Sequence, residues 1–288
     1  MFIPLLPRLL LTTLLCAVAP LRAAVLTNLE YGQAAGVSLK LDAYVPDGPG
    51  PHPTVILVHG GGWTGGDKDG GKNQGYMMPM HEPLSTAGFA WFSINYRLAP
   101  AHRHPAQVED VETAIRWVKA HAGEYRLDPR RIALSGESAG GHLVALAAVR
   151  ADDSTRVAAV VPFYGVFDLV AEAHRRGGAI PSFNKLLGRD TLDETMLKLM
   201  RDASPQNFVK PGLPPFLLVH GTADQTVAYQ QSVDMQTRLR AAGVPCELLP
   251  IKDGPHGMLP WPKLAPDFKD RVVAWLRKTL AVPPTPKK

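Results

Sequence analysis

Short apolar strand segments alternate with helical segments along most of this chain. Residues 54–58 form a continuous apolar run rich in β-branched residues, typical of a parallel strand covered on both faces. In residues 106–121, apolar residues recur at helical spacing. The other predicted strands are 25–31, 37–45, 89–94, 131–134, 157–163, 215–219 and 247–251, and the other predicted helices are 77–87, 139–149, 229–241 and 268–279. This alternation predicts an α/β fold with a mostly parallel central sheet, helices on both faces and an antiparallel hairpin at one edge.

Length and composition are compatible with one such domain. The chain has 288 residues, of which 45% are hydrophobic and 20% charged, ordinary values for a globular protein with a large core. No repeat or long linker divides it, so residues 24–288 are predicted to form a single domain. Residues 168–206 interrupt the alternation. They contain a short predicted helical stretch near residues 191–200 and are a candidate small cap. The net charge of +5 includes no concentrated basic run, so a nucleic-acid partner is not indicated.

Residues 1–23 have the composition of a secretory signal peptide. Arg8 is a short positive region, residues 9–19 are almost wholly apolar, and Ala23 is a small residue at the expected cleavage point. Because the apolar run is short for a transmembrane helix, we expect a secreted or periplasmic protein without stable membrane insertion. An uncleaved membrane anchor is the alternative. Cys246 would then be the single thiol, and its apolar neighbours predict a small buried side chain.

The segment Gly136-Glu137-Ser138-Ala139-Gly140 lies between a predicted strand and a predicted helix. A serine nucleophile needs its oxygen lifted clear of the sheet, and a sharp strand–turn–helix bend does this. Gly136 and Gly140 relieve the crowding of that bend because they have no side chain. The pattern in this context indicates that Ser138 is a catalytic nucleophile. A simple strand-to-helix turn is the alternative interpretation.

Three consecutive glycines follow a predicted central strand, in the sequence HGGGW at 59–63. Backbone N–H groups of such a loop can turn toward a ligand, and with the N–H after the nucleophile they form an oxyanion hole. The expected donors are Gly61, Gly62 and Ala139. A flexible glycine loop is the alternative. A phosphate-binding loop is not indicated, because no Gly-Lys-Ser or Gly-Lys-Thr follows the glycines.

A carboxylate and a histidine follow Ser138 in the order expected of a catalytic triad on a parallel sheet. Asp224 comes just after the predicted strand 215–219, and His256 just after the strand 247–251. Because ligands bind at the carboxyl ends of parallel strands, both side chains are expected near Ser138. The histidine would take the proton of the serine, and the aspartate would orient the histidine.

Four other titratable residues are weaker candidates. Asp253 lies in the same loop as His256 and is poorly placed to support it. His220 precedes Asp224 and so has the wrong order for the base. His142 is expected to pack or to form hydrogen bonds, and His59 to anchor the glycine loop rather than to transfer protons.

Metal chemistry is not indicated. The chain has no His-Glu-x-x-His and no paired cysteine or histidine spacing, and His102 and His104 lie in a proline-containing loop. Three tryptophans are candidates for a pocket that accepts an aromatic group, namely Trp63, Trp91 and Trp261. Packing in the core or in a loop is the alternative for each of them, and it is favoured for Trp91.

Several motifs together resemble the hormone-sensitive-lipase-like branch of the α/β-hydrolase fold. They are HGGGW at 59–63, NYRLAP at 95–100, the pair Glu109-Asp110, GESAGG at 136–141, HGTAD at 220–224 and GPHG at 254–257. The resemblance covers about residues 25–280 and is nearest to secreted bacterial acetyl and feruloyl esterases. It implies a serine carboxylesterase with the triad Ser138, His256 and Asp224 and with no metal or cofactor. It also implies the same three oxyanion donors, with the N–H of Trp63 as the alternative to one glycine.

The resemblance differs from its larger members in the cap. They carry a helical cap before the glycine loop, for which this chain has no room, so the site is expected to be open apart from residues 168–206. We expect hydrolysis of short-chain or aromatic esters of acetyl or feruloyl type, free or linked to carbohydrate. An amidase or aryl-formamidase with the same triad is the alternative enzyme, and a binding protein without catalysis is the alternative of another class.

Overall fold

Within the residues that the structure describes, eight strands form a single sheet. The computed structural model describes residues 24–70, 77–178 and 180–281. The strands are β1 (Ala24–Ala34), β2 (Val37–Val45), β3 (His52–Val58), β4 (Ala90–Ile94), β5 (Leu127–Glu137), β6 (Ala159–Phe163), β7 (Phe216–Gly221) and β8 (Cys246–Ile251). Their order across the sheet is β1-β2-β4-β3-β5-β6-β7-β8. The pairs β1–β2 and β2–β4 are antiparallel and all the others are parallel, so the predicted sheet and its edge hairpin are confirmed.

Helices cover both faces of the sheet. The helices of the described residues are α1 (His81–Thr86), α2 (Ala106–Ala120), α3 (Ala139–Arg150), α4 (Leu169–Arg175), α5 (Pro181–Leu187), α6 (Glu194–Ala203), α7 (Gln230–Ala241), α8 (Trp261–Leu264) and α9 (Phe268–Thr279). Buried residues of α2, α3 and α7 belong to one hydrophobic core, and those of α1, α8 and α9 belong to a second. Within the ranges described, none of the helices combines the length and the apolar character needed to span a membrane.

The apolar run of β3 is divided between the two cores. Ile56 and Val58 contribute to the core with α2 and α3, while Val55 and Leu57 contribute to the core with α1 and α9. Successive side chains of a strand point to opposite faces of the sheet. A strand covered on both faces therefore has no polar position to alternate with, which explains the continuous run.

Strand β5 is longer than its apolar residues predicted. It begins at Leu127 rather than at residue 131, because its first part carries charged residues that hide the strand pattern. Asp128 accepts hydrogen bonds from the Arg130 N–H at 3.0 Å and from Arg131 Nε at 2.9 Å. These local bonds satisfy the charged groups at the end of the sheet opposite to Ser138.

The segment between β6 and β7 has more helix than the sequence indicated. A single helical stretch near residues 191–200 was predicted, but the structure has three helices, α4, α5 and α6. Asp168 caps α4 by accepting a hydrogen bond from the Ala171 N–H at 3.0 Å, and Asp193 caps α6 by accepting one from the Met196 N–H at 2.8 Å. Residues 1–23, the predicted signal peptide, lie outside the described residues.

Candidate active site

Three loops at the carboxyl ends of parallel strands bring Ser138, Asp224 and His256 together. Ser138 Oγ lies 3.0 Å from His256 Nε2, and His256 Nδ1 lies 2.7 Å from Asp224 Oδ2. The hydroxyl can donate to Nε2 while Nδ1–H donates to the carboxylate. The three predicted residues therefore form one hydrogen-bonded chain across 118 positions of sequence.

Ser138 has a backbone conformation that L-residues rarely adopt. It has φ 53° and ψ −117°, and it stands immediately before α3. Its N–H donates to Phe163 O at 2.9 Å. A Cβ on Gly140 would lie 2.1 Å from Val58 O, and a Cβ on Gly136 would lie 2.6 Å from Gly140 O. The sharp bend that lifts Ser138 thus requires glycine on both sides of the serine.

Asp224 is held as a carboxylate. Its Oδ1 accepts hydrogen bonds from the N–H groups of Thr226 at 2.8 Å and Val227 at 2.9 Å. Burial raises the pKa of Asp224, but hydrogen bonds from His220 and His256 outweigh it and hold this pKa well below its usual range. The negative charge opposite His256 Nδ1 is therefore present over the whole physiological pH range.

His220 is a second partner of Asp224 that the sequence analysis did not assign. Its Nε2 lies 3.3 Å from Asp224 Oδ2 and 3.1 Å from Val227 O, while its Nδ1 lies 2.8 Å from Ser232 Oγ. The ring is completely buried. His220 thus fixes the acid and cannot reach Ser138 as the base. Its position four residues before Asp224 at the end of a buried strand is the signal that could have indicated this role.

The glycine loop presents backbone donors to the same place. Gly61 and Gly62 have φ of +94° and +60°, and Gly61 O accepts the N–H groups of Thr64 and Gly65. Within the part of the chain that the structure describes, the N–H groups of Gly61, Gly62 and Ala139 donate no hydrogen bond to another backbone group. All three residues line the cavity that contains Ser138. Their placement suits the stabilisation of an oxyanion.

His59 anchors this loop, as its position predicted. Its Nδ1 donates to Gly60 O at 2.8 Å, and its ring stacks on Tyr96 with a centroid distance of 4.3 Å. The Tyr96 hydroxyl donates to the same carbonyl at 3.0 Å. Burial lowers the pKa of His59 to about 4, although the bond to Gly60 opposes this. His59 is therefore neutral and structural at neutral pH.

His142 forms hydrogen bonds in the core, which was also predicted. The Trp63 indole N–H donates to His142 Nδ1 at 3.1 Å, and His142 Nε2 donates to Ala203 O at 2.8 Å. Burial lowers the pKa of His142 to about 3, so the ring is neutral and can accept on one side while it donates on the other. This neutral bridge ties the glycine loop to the end of α6.

The three tryptophans have different environments. Trp63 lines the cavity, with its ring in edge contact with Phe183 at a centroid distance of 5.6 Å. Trp261 is completely buried, donates to Pro255 O at 3.0 Å and is not among the residues that line the cavity, so it packs in the core as its alternative interpretation expected. Trp91 packs in the core and stacks on His81 at 4.1 Å, as the alternative interpretation expected.

The cavity above Ser138 has a volume of about 300 Å³ and two unlike walls. The first, which we call the sheet wall, consists of loops that follow strands and contributes Gly61, Gly62, Ser138, Ala139 and His256. The second, the helical wall, comes from α4, α5 and their connection and contributes Glu172, Arg176, Ser182 and Phe183. The sequence analysis missed the helical wall because no motif marks its residues.

Asp224, and not Asp253, is the carboxylate that contacts His256, and the described residues contain no candidate metal site. Asp253 is exposed, and its N–H donates to Thr222 Oγ1 at 2.9 Å. Among the residues described, no three histidine, cysteine or acidic side chains are grouped so that they could hold a metal ion. Cys246 is buried, as predicted, and burial raises the pKa of its thiol to about 12.

With this geometry in place, comparison with known proteins assigns the family. The BD-FAE family model matches residues 41–239 of the chain. The chain belongs to the BD-FAE family. The match spans the sheet from β2 through α7, and it includes the glycine loop, the Ser138 bend and Asp224 but ends before His256.

Relatives of this BD-FAE chain are esterases. A probable carboxylic ester hydrolase of Mycobacterium tuberculosis, LipM, is 36% identical over 224 residues, which cover 73% of this chain and 50% of LipM. The chain thus spans about half the length of LipM and of the esterase LipC from the same organism, which is 36% identical over 203 residues.

Solved structures show the same fold over almost the whole described chain. The truncated form of a carbohydrate esterase from gut microbiota is 26% identical, with a TM-score of 0.79 over 90% of this chain and 97% of that chain. Esterase 2 of Thermogutta terrifontis, with propionate bound, is 26% identical with a TM-score of 0.72 over 92% of this chain and 97% of that one. The predicted α/β-hydrolase fold and the resemblance to hormone-sensitive-lipase-like esterases are confirmed.

Proposed function

We propose that this BD-FAE chain hydrolyses carboxylic esters through an acyl-enzyme intermediate. The observation that carries the proposal is the hydrogen-bonded chain from Ser138 Oγ through His256 to Asp224 Oδ2, at 3.0 Å and 2.7 Å. It lies in the same cavity as Gly61, Gly62 and Ala139, whose N–H groups donate to no other backbone group among the described residues. The esterase names of its relatives support the same reaction class.

In the proposed reaction, Ser138 Oγ attacks the ester carbonyl while His256 Nε2 takes the hydroxyl proton. The oxyanion of the tetrahedral intermediate accepts hydrogen bonds from the N–H groups of Gly61, Gly62 and Ala139. Loss of one such donor typically lowers kcat by roughly 100- to 1,000-fold. Asp224 stabilises the imidazolium that forms. His256 then protonates the leaving alcohol, and a water molecule, activated by the same histidine, releases the acid.

We further propose short-chain or aromatic acyl groups of acetyl or feruloyl type as substrates, free or linked to carbohydrate. The cavity of about 300 Å³ is at the small end of ligand sites and fits a short acyl group rather than a long chain. Its polar side chains, Glu172, Arg176, Ser182 and Thr226, suit an alcohol with hydroxyl groups. The similar structures include a carbohydrate esterase and a propionate-bound esterase, which supports both parts.

The proposed location is secreted or periplasmic, with cleavage after the predicted signal peptide. Its support is the composition of residues 1–23. The test is N-terminal sequencing of the protein recovered outside the cytoplasm of an expression host. A first residue near Ala24 supports the proposal, whereas an intact N-terminus in the membrane fraction supports the anchor instead.

The activity is tested with p-nitrophenyl esters from acetate to laurate, with wild type measured beside Ser138→Ala. We expect rates that fall steeply beyond butyrate, and a loss of about 10⁶-fold in kcat in the variant. The matched control is Ser182→Ala, which removes a hydroxyl from the same cavity without touching His256 and should retain most of the activity.

Two outcomes would overturn this proposal. A wild-type protein that cleaves an aryl formamide much faster than the matched ester would be an amidase with the same triad. A folded wild-type protein that cleaves neither would leave a binding role.

A further inference from the structure

A second carboxyl group lies beside the triad, and the mechanism above does not use it. Glu137 directly precedes Ser138, lines the cavity and is only 5% exposed. Within the described residues, its Oε1 has no hydrogen-bond partner although the atom is buried. A buried carboxyl oxygen without a hydrogen bond costs free energy, and an ionised one costs more unless a nearby opposite charge compensates it.

The Glu137 carboxyl group fits beside the glycine loop because residue 60 is a glycine and has no side chain. A Cβ on Gly60 would lie 2.1 Å from Glu137 Oε1 and 2.7 Å from the carboxyl carbon. The first glycine of the HGGGW motif therefore accommodates Glu137, whereas the second and third line the cavity. The close approach places the carboxyl group against the glycine loop, and Glu137 lines the same cavity as His256.

The groups that face Glu137 come from three loops. The Gly60 N–H, after β3, and the Tyr164 hydroxyl, after β6, favour the ionised carboxylate, and so does a positive charge on His256, after β8. Asp224 is more distant and acts on Tyr164. Burial is the largest effect and opposes all of these, so that the pKa of Glu137 is raised to about 7.

Tyr164 connects the two titratable groups. Its ring contacts His256 edge-on, with a centroid distance of 4.7 Å, and its ring is completely surrounded by protein. His256 thus has the Asp224 carboxylate at Nδ1. On another side it has the ring of Tyr164, whose hydroxyl forms a hydrogen bond with the second carboxyl group, that of Glu137. Because Glu137 and Tyr164 are buried, the attraction between the two charges is screened less than it would be in bulk water.

We propose that Glu137 is a positioning residue that stabilises the imidazolium form of His256 during acyl transfer. This inference rests on the proposed role of His256 as the base. Coupling between two titrating groups is reciprocal, so the effect that His256 has on Glu137 is matched by an equal effect of ionised Glu137 on His256.

The sign of the effect on pH dependence follows from this coupling. Catalysis needs neutral His256, so the rate rises as pH increases through the acid limb. An ionised Glu137 favours the imidazolium and moves that limb to higher pH. Glu137→Gln keeps the shape but not the charge, so its acid limb should move to lower pH, by on the order of one unit for a close charge pair.

The test measures kcat/KM for p-nitrophenyl acetate against pH, with the pH dependence of Ser138 sulfonylation as a readout that needs no ester. For Glu137→Gln we expect the shift to lower pH in both profiles. We also expect a plateau kcat/KM that is up to about tenfold lower, since one pH unit corresponds to tenfold in the imidazolium equilibrium. The control is Asp253→Asn, which removes the same charge from an exposed position of the His256 loop and should move neither limb.

Tyr164→Phe keeps the proposal testable if Glu137→Gln does not fold. It retains the ring against His256 but removes the hydroxyl that favours ionised Glu137, so the acid limb should shift in the same direction by a smaller amount. Identical midpoints in wild type and variants, or an equal loss at every pH, would overturn the proposal. Full activity of Ser138→Ala would instead overturn the proposed function, so the two failures are distinguishable.

Discussion

The two walls of the cavity are supported in different ways. In the sheet wall, neighbouring backbones approach so closely that a Cβ on Gly140 would lie 2.1 Å from Val58 O, and one on Gly221 would lie 2.1 Å from Gly254 O. In the helical wall, a Cβ on Gly177 would have no other atom of the described residues within 4 Å. The helical wall is held by side chains, such as Arg175 Nη2, which lies 2.5 Å from Glu172 Oε1 and 3.3 Å from Thr226 O.

This difference separates chemistry from selection of substrate. The sheet wall positions reacting atoms by backbone geometry, which tolerates no added atom, and it consists of motifs that are recognisable in sequence. The helical wall shapes the rest of the cavity with side chains that can change in size or charge without moving the strands. Substitutions in the sheet wall should therefore abolish activity or folding, and those in the helical wall should change specificity.

After Ser138, the largest effect is expected at Asp224, the acid that holds His256 of the sheet wall. Asp224→Asn should lower kcat by about 10⁴-fold, as for other triads in which the histidine loses its orienting carboxylate. The measurement is steady-state hydrolysis of p-nitrophenyl acetate. Asp253→Asn should retain wild-type kcat, and a large loss there would mean that the wrong carboxylate has been assigned.

A pair of glycine variants compares the walls in stability. Gly140→Ala should reduce the free energy of unfolding by about 3 kcal/mol, because its Cβ would overlap backbone atoms that cannot move independently. Gly177→Ala should cost only about 1 kcal/mol, since φ +79° is unfavourable for alanine but the space is open. Urea denaturation measures both. Equal losses would contradict the proposed difference between the walls.

Phe183 in the helical wall should control the length of the acyl group. Phe183→Ala removes a large ring that contacts Trp63 and enlarges the cavity. We expect the ratio of kcat/KM for hexanoate to that for acetate to rise by roughly tenfold. Binding of one or two additional methylene groups in an apolar pocket changes kcat/KM by at least about this factor. Leu197→Ala, in α6 outside the cavity lining, is the control. An unchanged ratio would place the acyl group elsewhere.

The smallest effect is expected at Arg176, an exposed cation of the helical wall that forms no ion pair with the other described residues. Arg176→Gln should raise KM for an ester that carries a carboxylate by about two- to fivefold, the range of an exposed charge pair. KM for the matched neutral ester should stay the same. Arg238→Gln removes an exposed arginine of α7 as the control, and an equal change in that variant would show a general effect of net charge.

Most of the active-site residues at the carboxyl ends of the strands could be predicted, because the sequence patterns that mark them are local. The continuous apolar run of β3 and the glycines around Ser138 reflect constraints that act within a few residues, namely coverage of both faces and a sharp bend. The rule that parallel strands place their carboxyl ends together then located Asp224 and His256. The same reasoning missed the first part of β5 and two of the three helices between β6 and β7, because charged residues and short helices leave no clear periodicity.

The sequence by itself determined the eight strands along the chain and most of the helices between them, the bend at Ser138 and the pair of side chains expected to meet it. These depend on backbone sterics and hydrophobic periodicity, which neighbouring residues dictate. Only the tertiary structure decided the protonation and the surroundings of the polar groups. Burial makes His59 and His142 neutral, hydrogen bonds keep Asp224 ionised, and Glu137 is enclosed beside His256. Desolvation and charge pairing arise from atoms far apart in the chain, so they exist only once the two cores have formed.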